Sequence, residues 1–215
     1  MATTAAPYGF RPVGVLGAGT FSGATRQYKV TNSYGTSIFY GDVVKIVAAG
    51  TVEKDTGTTT LTPLGIFVGC SYTDPGTNQP TYAQMWTAST SATDIKAYVV
   101  DDPNIVFQAQ GDEAIAQTGL GNNVAVVQTA GSTSIGTSKN AIDGNTIATT
   151  KTLPVKILGF VDGPNSTVGD TYTDVLCKFN GPGDATGDSC AAHQLQDSTG
   201  IYEELSYGYF KSANA

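Results

Sequence analysis

Apolar positions along this chain recur mostly at a period of two, in short runs broken by clusters of Gly, Pro, Asp, Ser and Thr. That alternation is the mark of half-buried strands. Residues 26–30 alternate weakly. Residues 37–47 read as two short strands around a Gly41-Asp42 turn. Leu64-Gly65-Ile66-Phe67-Val68-Gly69-Cys70-Ser71-Tyr72 is a strongly apolar strand whose glycines predict a bend or a close backbone approach. Asp74-Pro75-Gly76 then turns the chain. Further strands are expected over residues 82–86, 95–100, 104–109, 123–128, 155–161 and 171–179. Short helical turns are expected at 112–118 and 138–142. No segment sustains a 3.6-residue period over four turns. The pattern predicts an all-β fold, a sandwich or barrel with jelly-roll-like or Greek-key connections.

Three parts follow from this reading: an extended N-terminal arm over 1–25, a β domain over 26–180, and a Gly-rich linker with an aromatic tail over 181–215. In the arm, Pro7 and Pro12 hold their neighbours extended. Between them stand Tyr8, Phe10 and Arg11, residue types that dominate protein–protein contacts. The tail carries Tyr207, Tyr209 and Phe210 in the same style. Pro7, Tyr8, Phe10, Arg11, Pro12, Tyr207, Tyr209 and Phe210 are therefore the candidate inter-subunit contacts. The stretch 50–63, rich in Thr and Gly, reads as an exposed hairpin tip or loop.

Composition narrows the chemistry. Only 13% of residues are charged, against about 25% in ordinary domains, which suits a β surface covered by neighbours. A net charge of −7 with scattered Lys and Arg argues against nucleic acid as a partner. Neither a signal peptide nor an apolar run of membrane-spanning length is legible. Cys70 and Cys177 lie in apolar strand patterns and read as small buried hydrophobes, in keeping with folding in a reducing cytosol.

Catalytic groups are sparse. The single histidine, His193, falls in the linker, where nothing orients it for Ser-His-Asp chemistry. Cys190 and His193 are two ligands where structural zinc needs four. Asp101-Asp102-Pro103 reads as a turn, with calcium ligation by Asp101 and Asp102 as the alternative. Asn165-Ser166-Thr167 matches a glycosylation sequon but reads as a turn. Trp86 could stack a sugar, yet its alternation with polar neighbours places it in the core. The expectation is a non-enzyme with no metal and no cofactor.

A resemblance gives this a direction. Ala6-Pro7-Tyr8-Gly9-Phe10-Arg11-Pro12-Val13 resembles the opening of small tailed-bacteriophage virion proteins of the capsid-decoration, or cement, type. The similarity continues through Ile38-Phe39-Tyr40-Gly41-Asp42-Val43-Val44, Leu64-Gly65-Ile66-Phe67-Val68-Gly69-Cys70, Val100-Asp101-Asp102-Pro103 and Ile157-Leu158-Gly159-Phe160-Val161-Asp162. It ends at Asp174-Val175-Leu176-Cys177-Lys178-Phe179-Asn180. The resemblance implies a virion protein on the outer surface of the icosahedral capsid, assembled in the host cytoplasm. Its implied partners are the major capsid protein and itself, as a homotrimer at local threefold positions. No nucleic acid and no membrane are expected. A phage tail or receptor-binding structural protein is the alternative.

Overall fold

A computed structural model describes residues 4–180, apart from 18, 151 and 165. Within it the chain is all-β, with two antiparallel sheets packed together as a sandwich. The first half supplies β1 (Arg11–Val15), β2 (Gly19–Thr20), β3 (Arg26–Lys29), β4 (Val43–Ile46), β5 (Val52–Lys54), β6 (Gly65–Thr73) and β7 (Pro80–Ala83). The second half supplies β8 (Lys96–Val100), β9 (Ile105–Gln110), β10 (Asn123–Val127), β11 (Ala141–Ala148), β12 (Val155–Phe160) and β13 (Asp174–Phe179). Sheet one runs β11-β10-β12-β13-β9-β1-β2, and sheet two runs β3-β8-β6-β4-β5 with β7 paired to β6. Because β13 lies between β9 and β12, and β3 beside β8, the connections cross over as Greek-key and jelly-roll chains do.

Burial explains the two sheets. In sheet one, alternate residues face inward: Ile105, Phe107 and Ala109 on β9, and Val175 and Cys177 on β13. Sheet two is buried on both faces. Val43, Ile66 and Val100 join the core between the sheets. Their chain neighbours Val44, Phe67 and Val99 enter a second core with Trp86 and Val52. A parallel bridge between Val30 and Val52 joins the outer strands of sheet two, so this sheet curls around that second core. Two-sided burial accounts for the unbroken apolar character of β6. Each such side chain contributes about 1.5–3 kcal/mol by leaving water.

The glycines of β6 behave as their positions suggest. A Cβ on Gly65 would run into the Val100 carbonyl. Gly69 has φ +141° and follows a register shift after Phe67, which bends the strand.

Three expectations need correction. The arm expected over 1–25 does not hold for its described residues 10–15: β1 pairs with β9, and Phe10 is fully buried. Pro12 is accommodated because β2 covers only Gly14 and Val15 of β1, leaving Pro12 at an open edge that needs no N–H. Nor is 50–63 an exposed loop. It contains β5, and Val52, Asp55 and Leu61 are buried, with the Asp55 carboxylate accepting from the N–H groups of Gly57 and Thr62. Finally, residues 138–142 lead into β11 rather than a helical turn, whereas 112–118 runs into a 3-10 turn at Gln117–Gly119.

Candidate interaction surface

Tight backbone approaches seat the N-terminal segment. Gly9, at φ +74°, donates its N–H to the Asn140 carbonyl at 3.1 Å, and Phe10 N–H donates to Gly41 O at 3.0 Å. A Cβ on Gly9 would strike Gly41 O and Ser138. The Phe10 ring then meets Phe179 at 4.9 Å and stands edge-on to Phe107 at 6.4 Å. Phe10 is therefore an anchor within its own domain and not an inter-subunit contact. The proline pattern shows an extended segment, and the residues that receive it come from distant loops.

The flanking candidates divide between inside and outside. Pro7 and Pro12 are half-buried. Tyr8 is half-buried too, and its hydroxyl donates to Asp174 Oδ2 at 3.1 Å, an oxygen that also accepts from Gln108 Nε2 at 3.0 Å. Burial, and then the Asp174 charge, hold the Tyr8 hydroxyl well above the ordinary phenol range. Arg11 is exposed and lays its guanidinium over the Tyr8 ring, 4.1 Å from the centroid. Val13 and Leu16 are 42% and 41% exposed. Arg11 and these two apolar side chains form the outward-facing part of the segment. Tyr207, Tyr209 and Phe210 lie outside the described residues, as do Cys190 and His193.

Beneath this surface a buried polar hub ties the segment's receiving loops together. Asp42 is wholly buried and pairs with Lys54 Nζ at 2.9 Å. It also accepts from Phe39 N–H at 2.9 Å, Ser138 Oγ at 2.6 Å and Asn140 Nδ2 at 3.2 Å. Four donors converge on one carboxylate, which is the arrangement that makes a buried charge tolerable. Sequence reasoning missed this hub, since Ser138 and Asn140 lie almost a hundred residues from Asp42.

The carboxylates singled out in the sequence serve the fold. Asp101 is buried, accepts from Tyr28 Oη at 2.5 Å and faces Arg26 at 3.6 Å. Asp102 Oδ1 accepts from Asn104 N–H at 2.8 Å, which makes the expected turn. The cleft beside them, lined by Pro63, Gly65, Asp101, Pro103, Phe107 and Asn180, has a volume of about 20 Å³, room for a water molecule. Among the described residues no group of three or more His, Cys, Asp or Glu is placed to hold a metal ion. Ser166 is buried and its Oγ accepts from Asp174 N–H at 2.9 Å.

Trp86 is fully buried, edge-on to Tyr72 at 5.5 Å, with its indole N–H directed at Tyr34 O. It lines the second core as the alternation predicts. Cys70 and Cys177 are free and buried. Burial pushes the Cys70 thiol up to about 12 and the Cys177 thiol still higher.

One exposed surface was not singled out from sequence. On sheet two, Lys29 stands opposite Lys96, Lys96 opposite Ser71, and Ser71 opposite Tyr82. Opposed residues share a face, so these four form a row across the sheet. The weak alternation of 26–30 was its only sequence signal. Comparisons with family models, curated proteins and solved structures give no match for this chain.

Proposed function

We propose that this chain is a capsid-decoration protein: it sits on the outer surface of a tailed-phage head, binds the major capsid protein, and reinforces capsomer contacts as trimers at local threefold positions. The observation that supports this reading is the convergence of the segments that carry the family resemblance. Scattered along the chain, they meet in one place. Phe10 bonds Gly41, and Gly41 N–H donates to Phe67 O at 2.9 Å. Ile66 pairs with Val100, and Ile157 with Cys177. The Phe179 ring closes on Phe10. A set of short, separately weak likenesses that builds one frame is stronger than the same set dispersed.

Assembly on a shell fits the rest of the chemistry. Weak contacts repeated over many copies add through multivalency, so a modest surface such as Arg11, Val13 and Leu16 is enough per subunit. The net acidity favours a protein facing away from packaged DNA. The test is cosedimentation of the purified chain with expanded, undecorated heads, followed by imaging of the decorated particle. Saturable binding, with density at threefold positions on the outer shell, is expected. Failure to bind heads, or density on the tail, overturns the reading.

A further inference from the structure

We infer that the exposed row Lys29–Lys96–Ser71–Tyr82 on sheet two is the docking face for the acidic C-terminal segment of the same chain, residues 181–215. This inference stands on other observations than the decoration reading and does not depend on it.

The face is built unlike the rest of the surface. Lys29 and Lys96 lie directly opposite each other on β3 and β8, and both are exposed. Like charges in that position destabilise a sheet unless an anion lies across them. Asp94 accepts from Thr73 N–H and, at 2.6 Å, from Thr73 Oγ1, and its charge and that of Lys96 attract each other, which sets one carboxylate against two ammonium groups. At the far end of the row Tyr82 is 79% exposed, a large ring standing in solvent on the edge strand β7. The half-buried Tyr98 ring lies beside Ser71, linked by a 3.0 Å hydroxyl contact. Opposite Tyr98 is Gly69, so the residue directly across from it on β6 carries no side chain. The face thus offers two cations at one end and aromatic surface at the other.

Residues 181–215 have the complementary composition. They contain Asp184, Asp188, Asp197, Glu203 and Glu204 against a single Lys211, with aromatic residues around the last two acids. Reach is sufficient. Asn180 lines the same cleft as Val100 and Asp101. From Val100 back to Lys96 along β8 is about 13 Å at strand rise. An extended chain covers about 14 Å from Asn180 to Asp184 and about 28 Å to Asp188. Nucleic acid is a poor competitor for the face, because two lysines on a chain of net charge −7 make few phosphate contacts.

Zero-length carbodiimide crosslinking of the full chain at low salt, read by peptide mass spectrometry, tests this. Amide links from Lys29 or Lys96 to the five acids of 181–215 are expected, with yield falling as salt screens the pairing. The double variant Lys29→Gln/Lys96→Gln should lose them; both side chains are exposed, so the fold is left intact. In an equal mixture of heavy- and light-isotope protein, linked peptides should carry one label each. Absence of these links, equal linking of the tail to Lys45 and Lys156, or mixed-label pairs would each overturn the inference.

Discussion

Replacing Phe10 by alanine separates an anchor in the core from a docking arm. The ring is fully buried, between Phe179 at 4.9 Å and Phe107 at 6.4 Å. Truncation removes its transfer free energy and leaves a cavity that two rigid rings cannot close, which costs about 3–5 kcal/mol. The aromatic pairs add about 0.5–1.5 kcal/mol each beyond burial, so the upper half of that range is expected. For a domain of this size, with a urea slope of about 2 kcal/mol per molar, the midpoint should fall by about 2 M. Equilibrium urea unfolding followed by Trp86 fluorescence measures it, since Trp86 lies in the other core and reports cooperative loss of the whole domain. Arg11→Ala is the internal control. Its side chain is exposed, and the change removes one stacking contact worth about 0.5–1 kcal/mol. A Phe10→Ala midpoint within about 0.5 M of the parent would refute the core assignment and restore the arm.

Lys54→Met leaves the Asp42 carboxylate buried with only its three hydrogen bonds. It should cost about 3–5 kcal/mol in urea unfolding, and adding Asp42→Asn should recover part of that loss. Gly65→Ala drives a methyl group into the Val100 carbonyl, where backbone cannot yield, and should lower stability by about 1–3 kcal/mol, measured as a drop in melting temperature. Burial, with Asp174 and Asp101 adding to it, holds the hydroxyl pKa values of Tyr8 and Tyr28 above the ordinary phenol value. A pKa raised in the folded state means that this stability is complete below pH 10 and is lost as pH rises toward and through the folded-state value. Tyrosinate absorbance should therefore show native tyrosines that ionise only with alkaline unfolding; titration of all tyrosines near pH 10 without unfolding would contradict this. Arg11→Glu should leave the melting temperature nearly unchanged yet weaken cosedimentation with heads, and unchanged binding would remove Arg11 from the contact.

Strands with a clean apolar alternation were legible in the sequence; those held by distant partners were not. Residues 64–72, 95–100, 104–109 and 155–161 match β6, β8, β9 and β12 closely, because β9 and β12 bury alternate residues and β6 is a continuous apolar run buried on both faces. The short β5 has too few residues to show a period, and Val52 is buried through its bridge to Val30. In β11, Gly144 and Asn145 fall where the pairing with β10 shifts register, and they donate to Asp112 Oδ1 and Glu113 Oε1 from another loop. Phe10 carries the same lesson. Its prolines describe the backbone correctly, but whether the segment lies on a neighbour or in its own core depends on Gly41, Asn140 and Phe179. The Asp42 hub was illegible for that reason: the fold brings Lys54, Ser138 and Asn140 to Asp42 from distant parts of the chain.

Two of the described surfaces bear on assembly. Sheet two is buried on both faces where sheet one covers it, and the row from Lys29 to Tyr82 lies beyond that cover with three of its four residues exposed. Sheet one keeps one face outside, and near β1 that face presents Arg11 beside the Tyr8 ring, with Val13 and Leu16 exposed. The two surfaces differ in kind. One is a cation over an aromatic ring flanked by apolar side chains, the mixture that supplies strong contacts in protein interfaces. The other is a lysine pair faced by the single carboxylate of Asp94. If the chain's own acidic segment satisfies the second, neighbours are left the first, and the assembly contact proposed for the N-terminal segment falls to Arg11, Val13 and Leu16 while Phe10 stays inside. Tyr8 then acts between the two. Its hydroxyl is fixed inward on Asp174, so its ring is held rigid beneath the guanidinium and little side-chain entropy remains to be lost when a partner closes over it.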